Sequence, residues 1–225
     1  MAHKDGDVRG NKLLYVAAAV LAVAAFFKLD HASAASGPPQ PKATVLGSLA
    51  PAAVKPVVPL PTLGRSVPTH IDIDAVNVHA DIITVGVNKD DTVGTPPLSN
   101  AKVAAWYNGS PTPGQVGASI IDAHVDSSLM ADYRGAFYYL GLAKPGMEID
   151  VTRSDHSVAV FIVDEVQDAL KADFPTDKVY AATPYPGLRL ITCGGDFDPK
   201  TKEYLGNTIV YAHMTAKRVF PHNAS

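Results

Sequence analysis

The feature that most constrains the fold is a succession of short, β-branched runs that begins at Thr69 and continues almost to the end of the chain. THIDID, from Thr69 to Asp74, alternates polar and apolar residues, the period-two pattern of a strand with one face buried. ADIITVGV, ASIIDAHV, MEIDVTR and SVAVFIVDEV follow, and LRLITC and NTIVYAHM complete the set. Loops such as NGSPTPGQVG and AKPGM separate them, with the glycine, proline and asparagine that turn a chain between strands. Helical candidates are short: LSNAKVAAW over 98–106 and TDKVYAA over 176–182. About seven or eight strands in about 150 residues, with so little helix, predict an all-β domain, either a sandwich or a closed barrel. That domain is expected over residues 68–218, with a short tail at 219–225.

The amino end has a different character. Lys4, Arg9 and Lys12 precede an apolar stretch from Leu13 to Phe27, and Lys28 and Asp30 close it. This is the pattern of an export signal. The stretch becomes long enough to span a bilayer if Leu29 joins it and Lys28 reaches back to the surface. One expectation is therefore a transmembrane signal anchor over 13–29, with a cytoplasmic tail at 1–12 and the rest of the chain outside, as the bias of positive charge predicts. The other is a signal peptide cleaved near Ala32-Ser33-Ala34. Residues 30–67 are rich in proline and poor in aromatics and read as an extracytoplasmic linker. About 30 such residues at ~3.1 Å each reach up to ~90 Å.

A hydrophobic content of 47% suffices for a core, and a net charge of -3 gives no electrostatic reason to expect nucleic acid as a partner. The single cysteine, Cys193, excludes an internal disulfide. In an exported protein it would be exposed to oxidants and able to pair only between chains. Two readings stand: a buried small hydrophobe, or a nucleophile.

A cysteine nucleophile needs its thiolate, and a histidine or other cation must favour it. His124, at the end of SIIDAHV and leading into Asp126, Ser127 and Ser128, sits where a strand hands over to a polar loop. His213, in VYAHM, is its rival. His70, His79 and His156 fall near strand starts or turns and read as surface residues. Cys193 itself ends an apolar run, shares a strand face with Ile191, and is followed by Gly194 and Gly195. Bare backbone beside the sulfur suits a peptide lying across it, and suits a tight turn equally well.

Threonine-cysteine at the end of a hydrophobic strand, an upstream histidine in AHVDS, and a late β domain behind a signal anchor resemble the sortases, cysteine transpeptidases of Gram-positive bacteria. LRLITCGGDFD, then Tyr204 and Asn207 leading into NTIVYA, is most similar to the actinobacterial group called class F, sometimes joined with class E. HIDIDAVNVHADIITVGV, AAWYNGSPTPGQVGASII and FPTDKVY extend the resemblance over nearly all of 66–214. It implies a sortase-like closed β-barrel of about seven or eight strands with short helices, preceded by the membrane helix. It implies Cys193 as nucleophile, His124 as the catalytic histidine, and Thr192 as the threonine that shapes the site and takes part in substrate binding.

Two departures stand out. Ala123 occupies the position before the histidine where the family has glycine, and no arginine lies between Cys193 and Arg218, where the family places one to hold substrate and stabilise the oxyanion. Lys200, Lys202, Arg134 and Arg189 are the candidates to replace it, although a lysine lacks the planar fork of a guanidinium. What the resemblance implies is cleavage of a Leu-Pro-X-Thr-Gly-like sorting signal between threonine and glycine. A thioester on Cys193 would then be transferred to an amine of a cell-wall precursor or another protein. No metal or other cofactor is expected. The alternative is a membrane-anchored sortase-like module that binds peptide or wall polymer without turning it over. A third, a purely structural β domain, has the glycine pair and the breadth of the resemblance against it. Peptidases of the NlpC/P60 kind carry their cysteine ahead of the histidine at a helix start, and L,D-transpeptidases need a Ser-His-Gly-Cys stretch; this chain fits neither.

Overall fold

The structure is a computed structural model that describes residues 37–41 and 61–219. Eight strands close into a barrel: β1 (Pro68–Ile73), β2 (Val78–Val85), β3 (Ala104–Tyr107), β4 (Gly117–Ala123), β5 (Glu148–Arg153), β6 (Ser157–Leu170), β7 (Pro186–Asp198) and β8 (Glu203–Val219). Around the barrel they run β1-β2-β3-β4-β7-β8-β6-β5. β2 pairs with β3 and β4 with β7 in parallel; every other pairing is antiparallel. Closure leaves no unpaired edge.

The barrel is lined by alternate residues of its strands. Ile71, Trp106, Ile121, Phe161, Leu188, Leu190 and Val210 meet in the main core. LRLITC and NTIVYA carry apolar residues on both faces because both faces are covered. Leu188 and Leu190 point inward, while Ile191, Ile209 and Tyr211 form a second cluster outside the barrel with Ile120 and Val179. Val179 belongs to the one α-helix among the described residues, α1 (Thr176–Tyr180), so the expectation of a short helix over 176–182 is met.

The expectation of a helix over 98–106 is not met. Leu98–Asn100 forms one 3₁₀ turn, and Ala104–Tyr107 is β3. Ala and Lys carry helix propensity, but Ala104, Ala105 and Trp106 complete a ladder between β2 and β4, and closing the barrel overrides a local preference. Cys193 does not end its strand either: β7 continues to Asp198 past an irregularity between Gly194 and Phe197.

The segment before β1 packs on the barrel. Arg153, almost wholly buried, donates to Ser157 Oγ (3.1 Å) and to the carbonyl of Gly64, and Arg65 lies over the Trp106 ring. Among the described residues no helix is long and apolar enough to cross a membrane; the apolar stretch at 13–29 lies outside them.

Candidate active site

Strand pairing brings the two sequence-predicted residues to one level. β4 and β7 run parallel with Asp122 opposite Ile191. Carried two residues further, that register sets His124 beside Cys193, on the outer face that Ile120 and Ile191 share. Thr192 closes the link from the inner face: its Oγ1 donates to the Ala123 carbonyl at 2.8 Å. Thr192 is therefore not among the residues lining the cleft; it ties the end of β4 to the interior of β7 from behind.

His124 and Cys193 line a cleft of about 110 Å³, with Asp126, Lys171, Phe197 and Tyr204 among its walls. His124 is 5% exposed, and its Nε2 lies 2.7 Å from the Pro96 carbonyl. A carbonyl only accepts, so Nε2 carries the proton and Nδ1 is left as the basic nitrogen. Burial pushes the imidazole pKa down, opposed by the Pro96 bond and by Asp126. The loop after β4 turns back immediately: the amides of Gly135 and Phe137 donate to the carbonyls of Val125 and His124. A Cβ on Gly135 would lie 2.1 Å from the His124 carbonyl oxygen, so only glycine fits there.

Cys193 is partly exposed. Its thiol pKa is pushed up to about 11, chiefly by burial; Lys171 pulls it down, while Asp126, Asp122 and Glu203 add to the rise. The resting pair is thus a neutral thiol and a neutral imidazole. Tyr204 donates its hydroxyl to Asp126, and burial raises the pKa of both groups. On the other side of β7, Asn207 faces Cys193 across the ladder and donates to the Thr192 carbonyl at 3.2 Å. Gly194 answers to packing: a Cβ there would come within 2.6 Å of Thr208 Oγ1. Gly195 adopts φ 74° at the irregularity in β7.

The expected cations separate. Lys202 lines the cleft. Lys200 is exposed and does not. Arg134 stacks on Tyr138 and Tyr139, and Arg189 lines a different cavity with His213, which pairs with Asp164. The cation that sequence reasoning missed is Lys171. It follows β6 in the 3₁₀ turn Lys171–Asp173, lines the cleft, and lies 3.7 Å from Glu203. Only register could have revealed it: Leu170 pairs with Gly206 and Asn207 with Cys193, which brings the end of β6 within one strand of the thiol.

Part of the proline-rich stretch also reaches the site. The Gly195 amide donates to Gln40 Oε1 at 2.7 Å, Pro38 is buried, and the Pro39 carbonyl packs on Gly141. The one group of metal-type ligands among the described residues, Asp72, Asp74 and His79, is not part of the cleft; Asp72 and His79 already share a 2.7 Å contact.

The family described as Sortase domain matches residues 71–215, from the first strand into the last. Comparison with curated proteins gives no match. Among solved structures, sortase A from Corynebacterium diphtheriae aligns with a TM-score of 0.50 and 21% identity over 71% of this chain and 65% of its own. The chain thus spans less than two thirds of that protein. Sortase A from Listeria monocytogenes aligns with a TM-score of 0.51 and 17% identity, over 71% of this chain and 93% of its own. For sortase C1 from Streptococcus agalactiae the values are 0.51 and 17%, over 66% and 67%. At these identities the likeness to the solved structures is one of fold.

Proposed function

The chain belongs to the sortase family, and on that premise we propose that it cleaves a Leu-Pro-X-Thr-Gly-like sorting signal between threonine and glycine and passes the new carboxyl end to an amine. The observation that carries this reading is the convergence of Cys193 and His124 on one cleft, His124 from just past the end of β4 and Cys193 from within the neighbouring β7.

In this reading the bound signal fills the cleft and His124 Nδ1 takes the thiol proton. The sulfur attacks the threonine carbonyl. The imidazolium is stabilised by the Pro96 carbonyl and by Asp126, both of which already favour its charged form. Lys171 and Lys202 supply the positive charge that the tetrahedral oxyanion requires, in place of the absent arginine. His124 then returns the proton to the leaving glycine amine, and a thioester on Cys193 remains. An amine of a cell-wall precursor or of another protein resolves it. Thr192 serves as a positioning residue, holding the nucleophile strand to the histidine strand. The class F or class E assignment rests on LRLITCGGDFD and NTIVYA. With it goes a membrane-anchored protein whose barrel stands outside the cell on the linker.

A second reading, a sortase-like module that binds peptide without turnover, is favoured by the raised pKa of Cys193. Steady-state formation of an amine-capped peptide separates the two. The parent chain turns over and Cys193→Ala does not if the enzyme reading holds. Equal product from both, or none from either while peptide binds, overturns it.

A further inference from the structure

A cavity of about 520 Å³ stands apart from the thiol cleft. It opens on the same outer face of β7 and β8, but four residues back along β7 from Cys193, about 13 Å at ~3.3 Å per residue. Val179 of α1 and the isoleucines Ile191 and Ile209 fill the space between. Its wall holds Arg189, which is 6% exposed and has its Nε buried with no hydrogen-bond partner. The guanidinium stacks on the Tyr211 ring at 4.8 Å, and Nη1 donates only to the neighbouring Leu188 carbonyl.

The carboxylates of the cavity wall have nearer partners than Arg189, on which they act only from beyond ion-pair distance. Lys178 Nζ lies 2.7 Å from Glu165, and His213 Nδ1 lies 2.6 Å from Asp164. Among the described residues no carboxylate reaches Arg189 at ion-pair distance. A buried guanidinium with an orphaned donor and no ion-pair partner is open to a ligand, and its planar fork can donate two parallel hydrogen bonds to a carboxylate. We infer that this cavity is a second binding site, for a carboxylate-bearing peptide segment, with Arg189 gripping the carboxylate and Tyr185 and Tyr211 flanking the chain. A singly charged carboxylate fits better than a phosphate dianion, because Asp164 and Glu165 share the wall and repel additional negative charge. The site stands apart from the chemistry at Cys193, so it stands or falls independently of the transpeptidase reading.

The test follows the side-chain Nε–H resonance of Arg189 in the full chain by NMR, during titration with acetyl-trialanine, its C-terminal amide, acetyl-Ala-Asp-Ala amide and inorganic phosphate. The expected result is a saturable shift with a Kd on the order of 1 mM for the free acid, the aspartyl peptide or both. These two arms tell a chain end from a side chain, and either supports the site. The amide control remains silent and phosphate binds more weakly. Arg189→Lys weakens binding at least ten-fold through loss of the fork, and Cys193 remains as reactive toward a thiol reagent as in the parent. Lys178→Met, at the cavity rim, provides a check that does not disturb β7. It leaves Glu165 unmatched and is expected to weaken carboxylate binding. Equal binding of the amide, tighter binding of phosphate, or no saturable shift overturns the proposal, as does unchanged affinity in a folded Lys178→Met variant.

Discussion

The raised thiol pKa has a consequence that can be measured without substrate. A thiol at about 11 is ionised in only about one molecule in ten thousand at neutral pH, against about 3% for an ordinary thiol near 8.5. The thiolate population is thus lower by roughly 300-fold. A more basic thiolate is intrinsically more nucleophilic, with a Brønsted slope of about 0.45, which returns roughly 13-fold over the same interval. The net expectation is reaction with an aromatic disulfide about 20- to 30-fold slower than a free thiol at neutral pH. Limited access slows the reaction equally at every pH, so the decisive quantity is the profile. The rate for the parent should climb about ten-fold per pH unit with no plateau below about pH 10, followed by absorbance of the released thiopyridone. Lys171→Met removes the cation that lowers this pKa, so it should slow the reaction further throughout that range. A plateau at or below about pH 8.5, or a Lys171→Met variant that reacts faster, would refute the electrostatic account of the resting site.

Other expectations follow from packing and hydrogen bonding. Gly135→Ala drives a Cβ into the His124 carbonyl and should cost at least about 2 kcal/mol of stability, a fall in Tm of about 4–8 °C for a chain of this size. An unchanged Tm would contradict the described turn. Thr192→Val strands the buried Ala123 carbonyl that it now satisfies and should cost about 1–3 kcal/mol in denaturant unfolding, while slowing modification of Cys193 by a peptide substrate. Gln40→Ala frees the Gly195 amide, and its hydrogen exchange should accelerate by an order of magnitude or more, corresponding to loss of about 1.4 kcal/mol of protection; unchanged exchange would mean that the contact does not persist in solution.

The barrel was legible because its strands carry their own signals. The period-two alternation of THIDID and the doubly apolar LRLITC and NTIVYA reflect one covered face and two covered faces, respectively. β3 was not legible, since Ala104 and Ala105 owe their place to the neighbours they bridge rather than to any strand preference of their own. The choice between His124 and His213 turned on which of the two lies level with Cys193. Periodicity gives each strand's faces but not its neighbour, so residue spacing left the two rivals equal; the family resemblance favoured His124, and the β4–β7 register now supplies a physical reason. Lys171 stayed hidden for the same reason, sitting beyond a strand end that is distant in sequence and close in space. The cleft's fine electrostatics, with a thiol raised by burial and an imidazole lowered by it, belong to the assembled site and leave no trace in composition.

The central claim is that Cys193 carries a thioester formed from a sorting signal. Intact-protein mass spectrometry of the full chain, quenched in acid after brief incubation with a Leu-Pro-X-Thr-Gly peptide and no added amine, reads it directly. The account predicts a mass increase equal to the peptide up to its threonine, located on Cys193 and lost in both Cys193→Ala and His124→Ala. A folded parent chain that binds the peptide and shows no adduct, or an adduct that persists in Cys193→Ala, would contradict it.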